Sequence, residues 1–185
     1  MMDELSLNIL DIAQNSIAAN ARFIEIDVIE NDDDNTLIIR VKDDGKGMSK
    51  ELVETVENPF VTTRTTRKIG LGISFLKEAA ELTGGTIELD STPDVGTTIT
   101  ATFIKDNLDR QPIGDLTATI IALVTLNPSI DFNFTYTVNE NEFNFNTKEI
   151  KTMLGDDTEL NNPPIVQFLT GYVNEHIVNL NGESI

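Results

Sequence analysis

The sequence predicts an α+β protein: a two-layer α/β sandwich followed by a small α+β unit. Three observations predict it. A stretch at 5–21 contains no proline or glycine and repeats apolar residues at helical spacing. Four segments, at 23–30, 36–43, 86–90 and 97–104, read as strands, several of them alternating apolar with polar residues. Two helical stretches fall between the second and third strands. The order helix-β-β-helix-helix-β-β lays helices over one face of an open sheet.

In the first helix Leu5, Ile9, Ile12, Ala13 and Ile17 form the apolar part, and Asn8, Asp11 and Asn15 share one narrow arc. Asp and Asn are mildly unfavourable inside helices, where a solvated face would carry Glu, Lys or Arg. The arc reads either as a solvated seam or as a site. An oxygen pair at i and i+4 would suit a Mg²⁺ ligand, Asn15, beside a group that orients water, Asp11. The acidic loop 31–35 joins the next two strands as a hairpin. Ser49 can cap a short helix through Val56, and Asn58-Pro59 ends it.

Residues 60–68 hold three of the thirteen basic residues, and Gly70-Leu71-Gly72 then opens a helix that stops at Gly84-Gly85. Glycines opening a helix leave free N–H groups at its positive end, a cradle for phosphate, although a basic run is also an ordinary solvated loop. Residues 86–104 read as a hairpin with Ile99, Ala101 and Phe103 turned inward. Residues 107–112 read as a polar linker between a first domain, 1–106, and a second, 113–185. In the second, 115–126 predicts a helix, Ile130, Phe132, Phe134, Tyr136 and Val138 alternate faultlessly, and Asn146 with Glu149 forms a capping-box pattern. Pro163 and Pro164 open a last helix whose Ile165, Phe168, Leu169, Tyr172, Val173, Ile177 and Leu180 fit one face. This unit reads as a second small core or as a partner or dimer surface. His176, the one histidine, would have to be any phosphoacceptor in the chain.

Thirteen basic against thirty-one acidic residues give a formal net charge of −18, a field that repels nucleic acid and anionic membrane. There is no cysteine, so disulfides and thiolate metal sites are excluded, and a single histidine excludes a histidine-rich one. The opening Met1-Met2-Asp3-Glu4 lacks the basic flank of a secretory signal. The longest apolar run, 118–126, is far short of the ~20 residues that span a bilayer. The expectation is a cytoplasmic protein that binds neither nucleic acid nor membrane.

The stretch Val41-Lys42-Asp43-Asp44-Gly45-Lys46-Gly47-Met48 runs from a strand into a loop with two glycines and two carboxylates. Asp and Gly are common turn residues, so a polar turn is one reading. The other is a binding loop, in which Asp43 at the strand end would need donors, and an exocyclic amine such as that of adenine would supply one.

In this order and spacing the motifs resemble the ATP-binding fold of the GHKL superfamily, shared by histidine kinases, DNA gyrase, the mismatch-repair protein MutL and the large heat-shock chaperone. Asp11-Ile12-Ala13-Gln14-Asn15-Ser16 is similar to its N box, Asp43-Asp44-Gly45-Lys46-Gly47 to its D-x-G-x-G box, and Gly70-Leu71-Gly72-Ile73-Ser74 to its second glycine box. Pro59-Phe60-Val61-Thr62-Thr63-Arg64 is similar to the segment before the lid, and Gly96-Thr97-Thr98 to the late strand that closes the pocket. The resemblance covers residues 5–104. It implies ATP and Mg²⁺ as cofactors, Asn15 as the Mg²⁺ ligand and Asp43 as the adenine contact. It further implies Gly45, Gly47, Met48, Thr62, Thr63, Arg64, Lys68, Gly70, Leu71, Gly72 and Thr98 as nucleotide contacts, and Asp11 as the catalytic residue. Asp11 departs from the family pattern, which has Glu in the hydrolysing branches and commonly Asn in histidine kinases.

Because the sequence opens at the N-box helix, the expectation is a module working without an acceptor domain of its own. It would take ATP or ADP and transfer phosphate to an unidentified protein partner in signal transduction, and a homodimer is considered. The alternatives are an anti-sigma-like nucleotide-gated binding module and a slow ATPase.

Overall fold

The computed structural model describes residues 4–57, 71–155 and 158–182. Its elements run α1 (Leu5–Ala18), β1 (Phe23–Asn31), β2 (Thr36–Asp43), α2 (Lys50–Glu57), α3 (Leu71–Leu82), β3 (Thr86–Thr92) and β4 (Gly96–Ile104). They continue with α4 (Leu116–Leu126), β5 (Asp131–Val138), β6 (Asn141–Asn146), α5 (Thr147–Leu154) and α6 (Pro163–Leu180). The predicted first unit is present in the predicted order. Helix α1 stops three residues early, because Asn20 takes a left-handed φ of 62° and Ala21 N–H turns back to the Ser16 carbonyl.

The strands form one six-stranded sheet in the order β3-β4-β2-β1-β5-β6, antiparallel except where β5 pairs parallel with β1, Phe132 beside Ile24 and Phe134 beside Ile26. Here the structure differs from expectation. Phe132, Phe134, Tyr136, Phe143 and Phe145 form no second small core; they continue the core of Ile24, Ile26, Val28, Leu37, Ile39 and Val41 as one cluster. The reason is hydrogen bonding: β1 pairs with β2 along one side only, and β5 supplies donors and acceptors for the other. Residues 107–112, read as a linker, are fastened to α1, whose first N–H groups at Leu5 and Ser6 donate to the Pro112 and Ile113 carbonyls at 3.0 and 2.7 Å.

Helices cover one face of the sheet, and the other face is polar. One row across it reads Glu88, Thr100, Arg40, Asp27, Thr135, Asn144, with Arg40 holding Asp27 at 2.8 Å. On the helix side, Asp115 caps α4 by accepting from Ala118 N–H, and Asn146 caps α5 by accepting from Lys148 N–H. Phe168 departs from expectation: predicted to face inward with Leu169 and Val173, it is 59% exposed. Those two, with Ile177, define the buried stripe of α6, and Phe168 lies beside it.

A polar cluster, buried at Tyr136 and Glu30, ties the last elements to β1. The Tyr136 hydroxyl meets Glu30 at 2.6 Å and Asn181 at 2.7 Å, and Lys105 reaches Glu30 at 2.9 Å and Asp32 at 2.6 Å. Burial, and then the bond to the Glu30 carboxylate, push the Tyr136 phenol far above its usual range. Burial pulls the Lys105 ammonium down, but its bonds to Asp32 and Glu30 prevail and raise it. Among the described residues no helix is long and apolar enough to cross a membrane.

Candidate functional site

The loop after β2 closes over the C-terminal half of α1 and leaves a cavity of about 300 Å³. Its walls come from α1 (Ile12, Asn15, Ser16, Ala19), the loop (Asp43, Lys46, Gly47, Met48), α2 (Leu52), α3 (Ile73) and β4 (Thr97, Ile99). Most of this lining is apolar, and its buried polar residues are Ser16, 4% exposed, and Asp43, 8% exposed. Its Oδ2 accepts from the Ser16 hydroxyl at 2.6 Å and its Oδ1 from the Gly45 N–H at 2.9 Å. Two donors hold the carboxylate in one orientation, and its remaining lone pairs are free to accept from a molecule in the cavity.

Gly47 has a φ of +60°, and a Cβ there would stand 1.9 Å from the Thr92 carbonyl oxygen. The missing side chain therefore makes room for the β3–β4 turn, which is fastened by Asp94 N–H to the Lys46 carbonyl and by Met48 N–H to Ser91 Oγ, both at 2.8 Å. Gly47 therefore lines the cavity and also admits the neighbouring strand pair. Gly72 behaves likewise, since a Cβ there would lie 1.9 Å from the Asp11 carboxylate. Asp11 thus sits against the first turn of α3, where N–H groups point outward and favour an anion.

The polar arc of α1 divides three ways. Asn15 lines the cavity, and its carboxamide makes no hydrogen bond to another described residue. Asp11 faces α3 and does not line the cavity. Asn8 is buried, its Nδ2 donating to the Glu4 carbonyl and to Gln111 Oε1 at 3.4 Å, and its Oδ1 has no partner among the described residues. Thr98, predicted as a contact, is not among the lining residues, and Thr97 is. Strand parity is the reason: Ile99, Ala101 and Phe103 face the helices, so Thr97 does too, while Thr98 pairs between Lys42 and Asp90 on the other face. That parity was available in the sequence.

Asp43, Asn15, Gly45, Gly47, Met48, Thr97 and Gly72 are thus gathered at or beside one cavity. Thr62, Thr63, Arg64, Arg67, Lys68 and Gly70 lie outside the described residues, as does the side chain of Leu71. Lys46, Ser16 and Leu52 were not predicted. Ser16 had a signal, a polar residue one position after Asn15 on the helix that faces the loop. His176 is far along the chain in α6, stacked on Phe143 at 4.6 Å, with Nδ1 2.8 Å from the Tyr172 carbonyl. A carbonyl only accepts, so Nδ1 carries the proton.

Residues 1–107 match the family of histidine kinase-, DNA gyrase B-, and HSP90-like ATPases. The sensor histidine kinase YvrG of Bacillus subtilis is 36% identical over 95 residues, 49% of this chain and 16% of that protein. The histidine protein kinase SaeS of Staphylococcus aureus is 31% identical over 109 residues, 56% of this chain and 31% of that protein. The chain therefore spans less than a third of the length of either relative. Among solved structures, the Aquifex aeolicus MutL ATPase domain complexed with ADP superposes with a TM-score of 0.52 at 15% identity, over 83% of this chain and 70% of that one. The fold is the same two-layer ATPase fold, and with its family match over residues 1–107 the chain belongs to the histidine kinase-, DNA gyrase B- and HSP90-like ATPases.

Proposed function

We propose that the chain binds ATP in the cavity under the β2 loop and passes its terminal phosphoryl group to a partner protein. One observation carries the binding reading: a carboxylate 8% exposed, held by Ser16 and Gly45, in the wall of an otherwise largely apolar cavity of about 300 Å³. Such a pocket accepts a flat apolar ring and selects it by one edge, and an exocyclic amine donating to Asp43 supplies that edge. Ile12, Met48, Leu52, Ile73 and Ile99 exclude water from the ring faces.

Asn15 suits Mg²⁺, because its carboxamide oxygen at the cavity wall, without a hydrogen bond to another described residue, is a hard donor. That ion is commonly held by one or two protein oxygens, with water and phosphate completing its shell. When bound, the ion neutralises charge on the phosphates. Asp11, one helical turn from Asn15, orients the attacking group, and the first turn of α3 receives phosphate oxygens through its N–H groups. Arg64, Arg67 and Lys68 are assigned to the phosphate tail from their sequence alone.

A second reading, a nucleotide-gated binding module with little turnover, is favoured by one specific feature. The Asp11 carboxylate rests on Gly72, outside the cavity lining, and is shorter than the Glu of the hydrolysing branches. The two readings separate when the protein is incubated with Mg²⁺ and γ-labelled ATP beside an Asp43→Ala control. Phosphate release, or label on protein, that vanishes in the control supports catalysis. Saturable binding without either supports the gated module, and absence of binding overturns both.

A further inference from the structure

We propose that Asp44 is a positioning residue: its carboxylate ties down the peptide unit across which Asp43 and Gly45 meet, and so sets the acceptor that reads the adenine amine. Asp44 is exposed and is not among the residues lining the cavity. Its Oδ1 nevertheless accepts from two successive backbone N–H groups, Arg22 at 2.7 Å and Phe23 at 2.9 Å. Strand register gives the reason. β1 and β2 pair antiparallel as far as Ile24 opposite Asp43, so the next pair is Phe23 opposite Asp44. Asp44 N–H donates to the Phe23 carbonyl at 3.3 Å, as in a hydrogen-bonded antiparallel pair. The return bond, from Phe23 N–H, goes to the Asp44 carboxylate in place of the Asp44 carbonyl. The side chain stands in for its own backbone, and the chain can leave the sheet at this residue without orphaning a strand N–H.

Gly45 follows at once, and its N–H donates to Asp43 Oδ1 at 2.9 Å. That bond spans the residue between them, whose orientation the tether fixes. Of the two donors that orient the Asp43 carboxylate, Ser16 is carried by α1 and Gly45 depends on Asp44. The anchor is itself held from its other side by β5. Phe23 lies beside Asp131 in the parallel pairing, and the Arg22 carbonyl accepts from Asp131 N–H at 2.9 Å. The Lys148 ammonium of α5 stands 5.0 Å over the Phe23 ring. Charge alone predicts a different role. A carboxylate beside a polyanion site opposes binding, so removing it would strengthen ATP binding whichever neutral side chain replaces it. A tether separates the replacements: Asp44→Asn keeps a carbonyl oxygen with two lone pairs, enough for both N–H groups, and Asp44→Ala keeps none.

This role rests on the adenine reading of the cavity, and the measurements are chosen so that the two fail separately. ATP is titrated calorimetrically, with Mg²⁺, into the full chain and its variants. Asp44→Ala should lose roughly tenfold in affinity, because binding must then order the loop, and Asp44→Asn should stay within about threefold of the parent. Added to Asp43→Asn, whose acceptor is already lost, Asp44→Ala should cost less than about twofold more, since both act through one contact. Asn31→Ala breaks the turn bonds to Asp34 at the far end of the same hairpin and should leave affinity unchanged. Equal losses in Asp44→Ala and Asp44→Asn, additive losses with Asp43→Asn, or a matching loss in Asn31→Ala would overturn the proposal, as would an Asp44→Ala affinity within about twofold of the parent. If the parent binds no ATP, the reading of the cavity fails, and hydrogen exchange of the ligand-free proteins decides the tether. Protection of Gly45 N–H lost in Asp44→Ala and kept in Asp44→Asn supports it, and equal protection in both refutes it.

Discussion

Replacing Asp43 by Asn changes one oxygen for an NH₂ at the point where the cavity is expected to read its ligand. The carboxylate now accepts from Ser16 Oγ at 2.6 Å and from Gly45 N at 2.9 Å. An amide keeps one acceptor, which Gly45 N–H requires because it is fixed in the backbone. The NH₂ then faces Ser16, which can accept and redirect its own proton to the Ile12 carbonyl, 3.4 Å away. The fold therefore tolerates Asp43→Asn, at a cost of about 1 kcal/mol for one weakened bond. Binding does not tolerate it, because the adenine amine would meet a donor in place of an anionic acceptor. A hydrogen bond to a charged group contributes about 1.5–3 kcal/mol, so ATP affinity should fall roughly 10- to 150-fold. Guanine presents a carbonyl where adenine presents its amine, so GTP should lose less than ATP. Calorimetric titration of both nucleotides against both proteins measures this. An ATP affinity within about twofold of the parent, in a folded variant, would refute the assignment of Asp43 as the base-reading group.

Further expectations concern the scaffold. Tyr136→Phe removes the hydroxyl between Glu30 and Asn181 and should cost about 2 kcal/mol, lowering Tm by about 4–8 °C in a thermal melt. Tyr136 and Lys105 both have folded pKa values raised above their usual 10.0 and 10.5. Their contribution is complete below those values and is lost as pH rises through the folded ones, so Tm should fall above about pH 10. The loss should be shallower in Tyr136→Phe, and an equal slope would contradict it. Gly47→Ala places a Cβ 1.9 Å from the Thr92 oxygen at a positive φ, so we expect a loss of more than about 1–3 kcal/mol together with weakened nucleotide binding. Gly72→Ala should displace the Asp11 carboxylate, and pairing it with Asp11→Ala should recover most of the lost stability by denaturant titration.

The nucleotide loop was legible in the sequence because its requirements are local. Asp43, Gly45 and Gly47 lie within five residues and act through geometry that the chain settles there. Strand parity was equally legible, since Ile99, Ala101 and Phe103 already imply Thr97 over Thr98. The partnership of β5 with β1 was not. A faultless alternation such as that from Phe132 to Val138 states that one face is buried and says nothing about which edge it will join. Phe168 misled for a related reason. Helical spacing assigns it to the apolar side, but the buried stripe is the narrower one of Leu169, Val173 and Ile177. Asn8 could not be separated from Asp11 and Asn15 by any helical wheel, because what distinguishes it is Gln111, 103 positions away.

The parallel pairing of β1 with β5 also bears on how the protein comes to exist. Phe132 lies 108 positions after Ile24, and a ribosome adding roughly 5–20 residues per second needs about 5–20 s to cover that distance. For that time β1 can pair with β2, and later the sheet can gain β4 and β3, while the other edge of β1 waits with bare N–H and C=O groups. Damage to Phe132 or Phe134 should therefore appear first in the amount of protein recovered after synthesis, before it appears in what each surviving molecule can do.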